Sequence, residues 1–151
     1  MDQKLADLVQ KKQKQAGTGE QIDWDERRNR YVAAVDALYA QIEGMLAEAI
    51  GQKKVASQKR EKHLTESYIG TYAVNDLILL IGDEPVRFSP RGRNIAGAEG
   101  RVDVVGERGE AILILRGDAD WGFVQSRQPT LAVVPLKEET LAEVLQLVMR
   151  D

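Results

Sequence analysis

The arginines between residues 87 and 101 are the side chains whose type and spacing most suggest chemistry. Arg87, Arg91, Arg93 and Arg101 lie within fifteen residues, with glycines interspersed among them. Guanidinium groups bind carboxylates and phosphates in bidentate fashion, and glycine lets backbone N–H groups approach such a ligand. The stretch lacks the Lys-Ser/Thr ending of a P-loop and the glycine spacing of a dinucleotide fingerprint. We expect either an anion site formed by these four arginines or a solvated loop whose arginines pair with nearby acids.

His63 is the only histidine and the one candidate for acid/base catalysis near neutral pH. Catalysis would require a neighbouring carboxylate, and hydrolysis would add a serine hydroxyl. The candidates are Glu66, Asp118 and Asp120 for the carboxylate and Ser67 and Ser89 for the hydroxyl. Since no Gly-x-Ser-x-Gly elbow is present, a small hydrolase using His63 is the least favoured of the functions considered.

The residues from Lys53 to His63 form a second cationic stretch. Residues 51–63 carry five basic side chains and one acidic side chain. As a strand, this stretch would place charge on both faces, which only a solvated edge strand or a loop tolerates, and edge lysines also discourage aggregation. No aromatic residues are interspersed to stack on bases. We therefore expect an edge strand or a loop rather than a surface for an acidic partner.

Composition limits the remaining chemistry. The 151 residues include 21 Lys and Arg, 24 Asp and Glu, one His and no Cys, which gives a formal net charge of −3. Zinc-thiolate, multi-histidine and thiol chemistry are therefore excluded. Asp118 and Asp120 predict a turn rather than a calcium loop, because Trp121 and Gly122 follow at once. We expect no cofactor and no metal, and the net charge gives no reason to expect nucleic-acid binding.

The first residues and the aliphatic runs indicate the compartment. Acids stand near the start, where a signal peptide would carry a positive stretch leading into an apolar one. The longest aliphatic runs, at 77–81 and 111–115, fall far short of the roughly 20 residues that span a bilayer. We expect a cytoplasmic protein with no membrane partner.

Residues 18–51 have the periodicity of one long amphipathic helix, preceded by a shorter helix over residues 2–15. Thr18 and Gln21 fit a capping box at its start, and Gly51 fits its end. At ~1.5 Å per residue this helix would be roughly 45 Å long, more than the expected width of the sheet that follows. Surplus apolar surface should therefore be left for a partner. The predicted partner-binding residues are Trp24, Tyr31, Val35, Leu38 and Ile42.

The sequence after residue 51 predicts an antiparallel sheet, because short apolar runs alternate with Gly, Pro, Asn and Asp. Asn75 and Asp76 fit a turn between two strands. Since the runs at 77–81 and 111–115 are apolar on both faces, we expect the sheet's inner face to form the core and the long helix to cover the outer face. Strands are predicted at 53–61, 66–74, 76–82, 85–89, 100–105, 110–116, 121–126 and 130–134.

The fold class predicted from these elements is α+β. It comprises N-terminal helices, one of them long and amphipathic, a strongly curved antiparallel sheet or partly open barrel of about seven strands, and a C-terminal amphipathic helix. A helical segment over residues 1–50 would precede a sheet domain over residues 51–151. Seven or eight antiparallel strands followed by one helix is similar to the element order of pleckstrin-homology-like domains, a resemblance of architecture alone.

The sequence favours a non-enzymatic cytoplasmic interaction or scaffold protein. Its long helix would bind a protein partner or a second copy, because surplus apolar helix surface is predicted and catalytic motifs are lacking. The alternative is an anion-binding module that holds a phosphate or carboxylate ligand in the loop over residues 87–101.

Overall fold

The computed structural model describes residues 2–17, 23–93, 99–117 and 119–151. Over these residues the chain is α+β, with four helices and a seven-stranded antiparallel sheet that does not close, as the sequence predicts at this level. No helix in these ranges is both long and apolar enough to cross a bilayer. The helices are α1 (Gln3–Gly17), α2 (Trp24–Met45), α3 (Ala47–Gly51) and α4 (Glu138–Val148). The strands are β1 (Val55–Glu66), β2 (Gly70–Ile81), β3 (Glu84–Gly92), β4 (Gly100–Val105), β5 (Glu110–Leu115), β6 (Trp121–Ser126) and β7 (Ala132–Pro135).

Helix α2 is shorter than the sequence predicts. It begins after Asp23, whose carboxylate accepts a hydrogen bond from the Glu26 amide at 3.0 Å. The predicted capping box, Thr18 with Gln21, lies outside the described residues. The helix ends at Met45, where the Leu46 backbone leaves the helical region, so its 22 residues extend about 33 Å rather than 45 Å. The expectation of one helix continuing to Gly51 is wrong, since α3 is a separate short turn.

The predicted turn at Asn75 and Asp76 is also wrong. Both residues lie within β2, whose twelve residues pair with β1 without interruption. The Tyr39 hydroxyl donates a hydrogen bond to the Asn75 carbonyl at 2.6 Å. Lys62 lies 2.8 Å from Asp76 Oδ1 and pairs with its charge, although this buried oxygen accepts no hydrogen bond from the described residues. The charged stretch around Lys62 forms β1, an edge strand, which is one of the two alternatives that the sequence left open.

The hydrophobic core lies between the inner face of the sheet and the helices α2 and α4. Leu77 and Leu79 of β2 share one buried cluster with residues of β3 to β6, of α2 and of α4. The expectation that α2 covers the outer face is wrong. On that face, opposite to Leu77 and Leu79 by strand alternation, Leu80 is 43% exposed. The helices therefore complete the core on the inner face, and the outer face is left open around β2 to β4.

Strand β2 buries opposite faces in its two halves. Tyr72, Val74 and Asp76 are buried in the first half, whereas Leu77 and Leu79 are buried in the second. The change falls where pairing with β3 begins, at the Leu77–Phe88 pair. The first half of β2, which pairs with β1 alone, therefore buries side chains that would lie on the open outer face if the sheet were flat.

Candidate functional site

An aromatic stack at the start of α2 combines a partly buried ring, Trp24, with a largely exposed one, Tyr68. The rings of Trp24 and Tyr68 lie 5.5 Å apart between centroids and are nearly parallel, at 16°. Arg27, one turn further along α2, places its guanidinium 5.4 Å from the centre of the Trp24 ring. We call Trp24, Arg27 and Tyr68 the aromatic–arginine cluster.

Local backbone geometry places Tyr68 on the surface. The β1–β2 ladder ends at the Glu66–Gly70 pair, so Ser67 to Ile69 form the turn. Ile69 is buried, which anchors the turn, whereas Tyr68 is 81% exposed. Tyr68 has a φ of +68°, a left-handed conformation that is unfavourable for a bulky residue. The turn therefore presents an aromatic ring to solvent at a cost in backbone energy.

Arg93 lies near this cluster and apart from the other predicted anion ligands. Its backbone amide donates to Glu66 Oε1 at 2.8 Å. Burial, and next the nearby positive charge of Arg27, lower the pKa of the Arg93 guanidinium. Arg93 therefore adds positive charge near the Trp24 end of the molecule.

Four of the five predicted partner-binding residues lie inside the chain's own core. Only Trp24 remains partly accessible. A polar contact also fixes this side of α2 to the sheet, because the Tyr31 hydroxyl donates a hydrogen bond to the Arg101 carbonyl at 2.7 Å. The surplus apolar surface is therefore absent at these positions in the folded chain. The four core residues are Tyr31, Val35, Leu38 and Ile42.

The outer face of the sheet carries a cluster of three buried polar side chains, Asp76, Ser89 and Asp103. These residues are cross-strand neighbours, with Ser89 opposite Asp103 and, by continuation of the β2–β3 register, beside Asp76. Lys62 Nζ lies 2.8 Å from Asp76 Oδ1, without hydrogen-bond alignment to that atom, and donates to Ser89 Oγ at 2.6 Å. The cluster thus neutralises charge within the sheet.

Asp103 holds two of the arginines that the sequence singled out. Arg101 Nε lies 2.6 Å from one carboxylate oxygen of Asp103, and Arg91 Nε lies 3.5 Å from the other. Arg87 shares the outer face of β3 with Arg91 by strand alternation, but it has no ion pair among the described residues. The four arginines therefore do not converge on one site. Two of them bind Asp103, Arg93 lies near the aromatic–arginine cluster, and Arg87 lies beside a separate groove on the outer face.

The hydrolytic arrangement proposed around His63 is not assembled in the described part of the chain. The His63 side chain is exposed on β1 and makes no hydrogen bond or ion pair with a described residue. Glu66 is engaged by the Tyr72 hydroxyl and the Arg93 amide, and Ser89 by Lys62. Two of the candidate partners, Glu66 and Ser89, are thus directed to other contacts.

The candidate calcium pair cannot be placed as a pair, since Asp118 lies outside the described residues. Across the described ranges, no group of three or more His, Asp or Glu side chains could hold a metal ion.

Comparison of the chain with protein-family models, with curated proteins and with solved structures gives no match. Candidate sites therefore depend on the chain's own geometry. Sequence reasoning missed Tyr68 as a surface candidate. A tyrosine two residues before Gly70 was the available signal, because loop and turn segments run over the protein surface.

Proposed function

We propose that this protein is a non-enzymatic, cytoplasmic interaction domain that binds a protein partner or a second copy through the aromatic–arginine cluster. The supporting observation is that the largely exposed Tyr68 ring stacks on the partly buried Trp24 ring, with the Arg27 guanidinium also against Trp24. Trp, Tyr and Arg are the residue types enriched at the energetic centres of protein interfaces. The sequence predicts that apolar residues along α2 bind a partner. Most of those residues are buried, so the proposal assigns the interaction to the aromatic–arginine cluster at the start of the helix.

The conformation of Tyr68 supports a role beyond packing. A non-glycine residue in the left-handed region costs of order 1–3 kcal/mol, and such strain often marks functional positions. Stacking on Trp24 offsets about 0.5–1.5 kcal/mol of this cost. Asn or Gly would close the same turn with less strain, so an exposed tyrosine there favours a contact outside the chain.

A finer architecture belongs to the same proposal. We infer a strongly curved, partly open sheet, because β2 buries one face in its first half and the other in its second. The same proposal includes the analogy with pleckstrin-homology-like domains, whose element order is similar to seven sequential strands followed by α4. This analogy of architecture supports an interaction role only at the level of fold.

The proposal is tested on the full chain with Tyr68→Asn and Tyr68→Phe. Asn removes the ring yet suits the positive φ, so the free energy of unfolding should change by no more than about 1 kcal/mol. Leu131→Asn is the matched control, because Leu131 is also largely exposed, at 63%, but belongs to no cluster. Sedimentation velocity measures self-association, and quantitative cross-linking to cytoplasmic proteins measures binding to other partners.

We expect wild type, Tyr68→Phe and Leu131→Asn to associate with the same copy or partner, and Tyr68→Asn to bind at least tenfold more weakly. Equal binding by Tyr68→Asn would overturn the proposal. The proposal would also be overturned if the wild-type chain stays monomeric and Tyr68→Asn cross-links to other proteins as strongly as the Leu131→Asn control.

A further inference from the structure

A groove on the outer face of the sheet carries positive charge that the described part of the protein does not neutralise. It has a volume of about 360 Å³ and runs between β1 and the β4–β5 turn. We propose that this groove binds a small amphipathic anion, whose phosphate or carboxylate group is held by Arg60 and Arg87. The lining residues are Arg60, Ile78, Pro85, Arg87, Val105, Gly106 and Glu107.

The register of the sheet places both arginines at this groove. Arg87 of β3 lies between Ile78 of β2 and Val105 of β4 in one cross-strand row. Arg60 of β1 is paired with Asp76 of β2, which lies two residues before Ile78 and on the same face of the sheet. Arg60 and Arg87 are thus two strands apart, or about 10 Å at ~4.8 Å per strand, with Ile78 between them. Two long side chains at this separation can converge on one head group.

The charged side chains around the groove that the structure describes form no ion pair with Arg60 or Arg87. Other cations on the same face are used, as Lys62 faces Asp76 and Arg101 binds Asp103. Neither Arg60 nor Arg87 forms an ion pair with any described residue, although both are exposed. The one acid among the described lining residues, Glu107, lies 2.7 Å from Arg150, which also lies 3.7 Å from Asp83 and from Glu84, so the lining itself holds two arginines and one acid. A net positive groove on a chain of net charge −3 therefore offers a localised site for an anion.

The floor of the groove defines the rest of the ligand. Ile78 and Val105 are partly buried, and Pro85 adds a further apolar surface. Ligand sites typically have volumes of about 300–1,000 Å³ and combine apolar walls with a few placed polar groups. A short alkyl or cyclic apolar portion would cover the Ile78–Val105 floor while the anionic group meets the guanidiniums. This inference shares no residue with the aromatic–arginine cluster and does not depend on the proposed interaction function.

The test titrates the ¹⁵N-labelled full chain with hexyl phosphate, hexanoate, inorganic phosphate and hexanol. We expect saturable amide shifts at Ile78, Arg87 and Val105 with the two amphipathic anions, and binding that weakens as salt is added. Inorganic phosphate should bind at least tenfold more weakly than hexyl phosphate, and hexanol should give no saturable shift. Arg60→Gln or Arg87→Gln should each weaken anion binding by about tenfold.

Arg127→Gln is the matched control, because Arg127 is likewise exposed and has no ion pair among the described residues, yet lies outside the groove. It should leave binding unchanged, and thermal unfolding followed by circular dichroism checks that all three variants fold. Absence of saturable shifts with either amphipathic anion would overturn the proposal, as would equal binding by Arg60→Gln, Arg87→Gln and Arg127→Gln. Inorganic phosphate binding as tightly as hexyl phosphate would overturn the assigned ligand class.

Sedimentation with phosphatidylserine–phosphatidylcholine vesicles distinguishes the two sources of such an anion. Vesicle binding that Arg60→Gln and Arg87→Gln abolish assigns the site to a lipid head group. Binding of the soluble probes without vesicle binding assigns it to a free organic anion, and either result supports the proposal.

Discussion

At the scale of single residues, hydroxyl and indole groups determine where the aromatic residues of this protein lie. The Tyr39 hydroxyl donates to the Asn75 carbonyl at 2.6 Å and lies 3.2 Å from the Phe88 carbonyl oxygen. The Trp121 indole donates to the Ala34 carbonyl at 2.9 Å. These contacts bind α2 to the sheet through polar groups within an apolar layer. A count of apolar positions along the helix contains no information about such bonds.

Tyr39→Phe should lower the free energy of unfolding by about 1–2 kcal/mol, because it leaves buried carbonyl acceptors without their donor. Urea denaturation measures the change. Tyr68→Phe removes a hydroxyl from an exposed ring and should change stability by no more than about 0.5 kcal/mol. Equal effects of the two substitutions would contradict the role assigned to the Tyr39 hydrogen bonds.

At the scale of elements, close approach between helices and strands requires glycine at particular positions. A Cβ at Gly100 of β4 would overlap the ring of Tyr31, a buried residue of α2. A Cβ at Gly106 would overlap the Val148 carbonyl at the end of α4. Gly44, by contrast, lies in the last turn of α2 with open space around it. These glycines were indistinguishable in the sequence, because the helix that packs on each strand was not known.

Gly100→Ala should lower the free energy of unfolding by about 2–3 kcal/mol, since the Tyr31 ring would have to move within a packed core. Gly44→Ala should raise it by up to about 1 kcal/mol, because alanine is the better helix former and nothing obstructs its methyl group. Thermal and urea unfolding of the two variants check both signs. A stabilised Gly100→Ala variant would show that α2 does not approach β4 as described.

At the scale of the whole molecule, the inner face of the sheet is apolar and closed, whereas the outer face around β2 to β4 is open and charged. Burial raises the pKa values of Tyr31 and Tyr39 above the ordinary value of 10.0, and burial with a hydrogen bond to Glu66 does the same for Tyr72. These phenols stay protonated in the folded chain at a pH where the unfolded chain ionises them. The folded state therefore binds more protons above about pH 10, so stability must fall as the pH rises through that range.

In a Tyr68→Phe background, whose remaining tyrosines are all buried, the free energy of unfolding should decrease above about pH 10. The expected slope is about 1.4 kcal/mol per pH unit for each tyrosine that ionises on unfolding. Tyrosinate absorbance near 295 nm should rise together with the loss of near-ultraviolet circular dichroism. Ionisation that precedes unfolding would show that the three phenols are accessible in the folded protein.

Sequence patterns alone predict the α+β class, the antiparallel sheet and the C-terminal helix, and they limit the charged stretch before His63 to an edge strand or a loop. Each of these depends on local periodicity, turn residues or strand charge, which act over a few neighbouring positions. Three features are visible only in the folded chain: the face that α2 covers, the strand that continues through Asn75 and Asp76, and the arginines that form no ion pair with a described residue. Those outcomes depend on contacts between residues far apart in sequence, such as Tyr39 with Asn75 and Arg101 near Tyr31. Such contacts satisfy polar groups and fill volume in ways that no local pattern records.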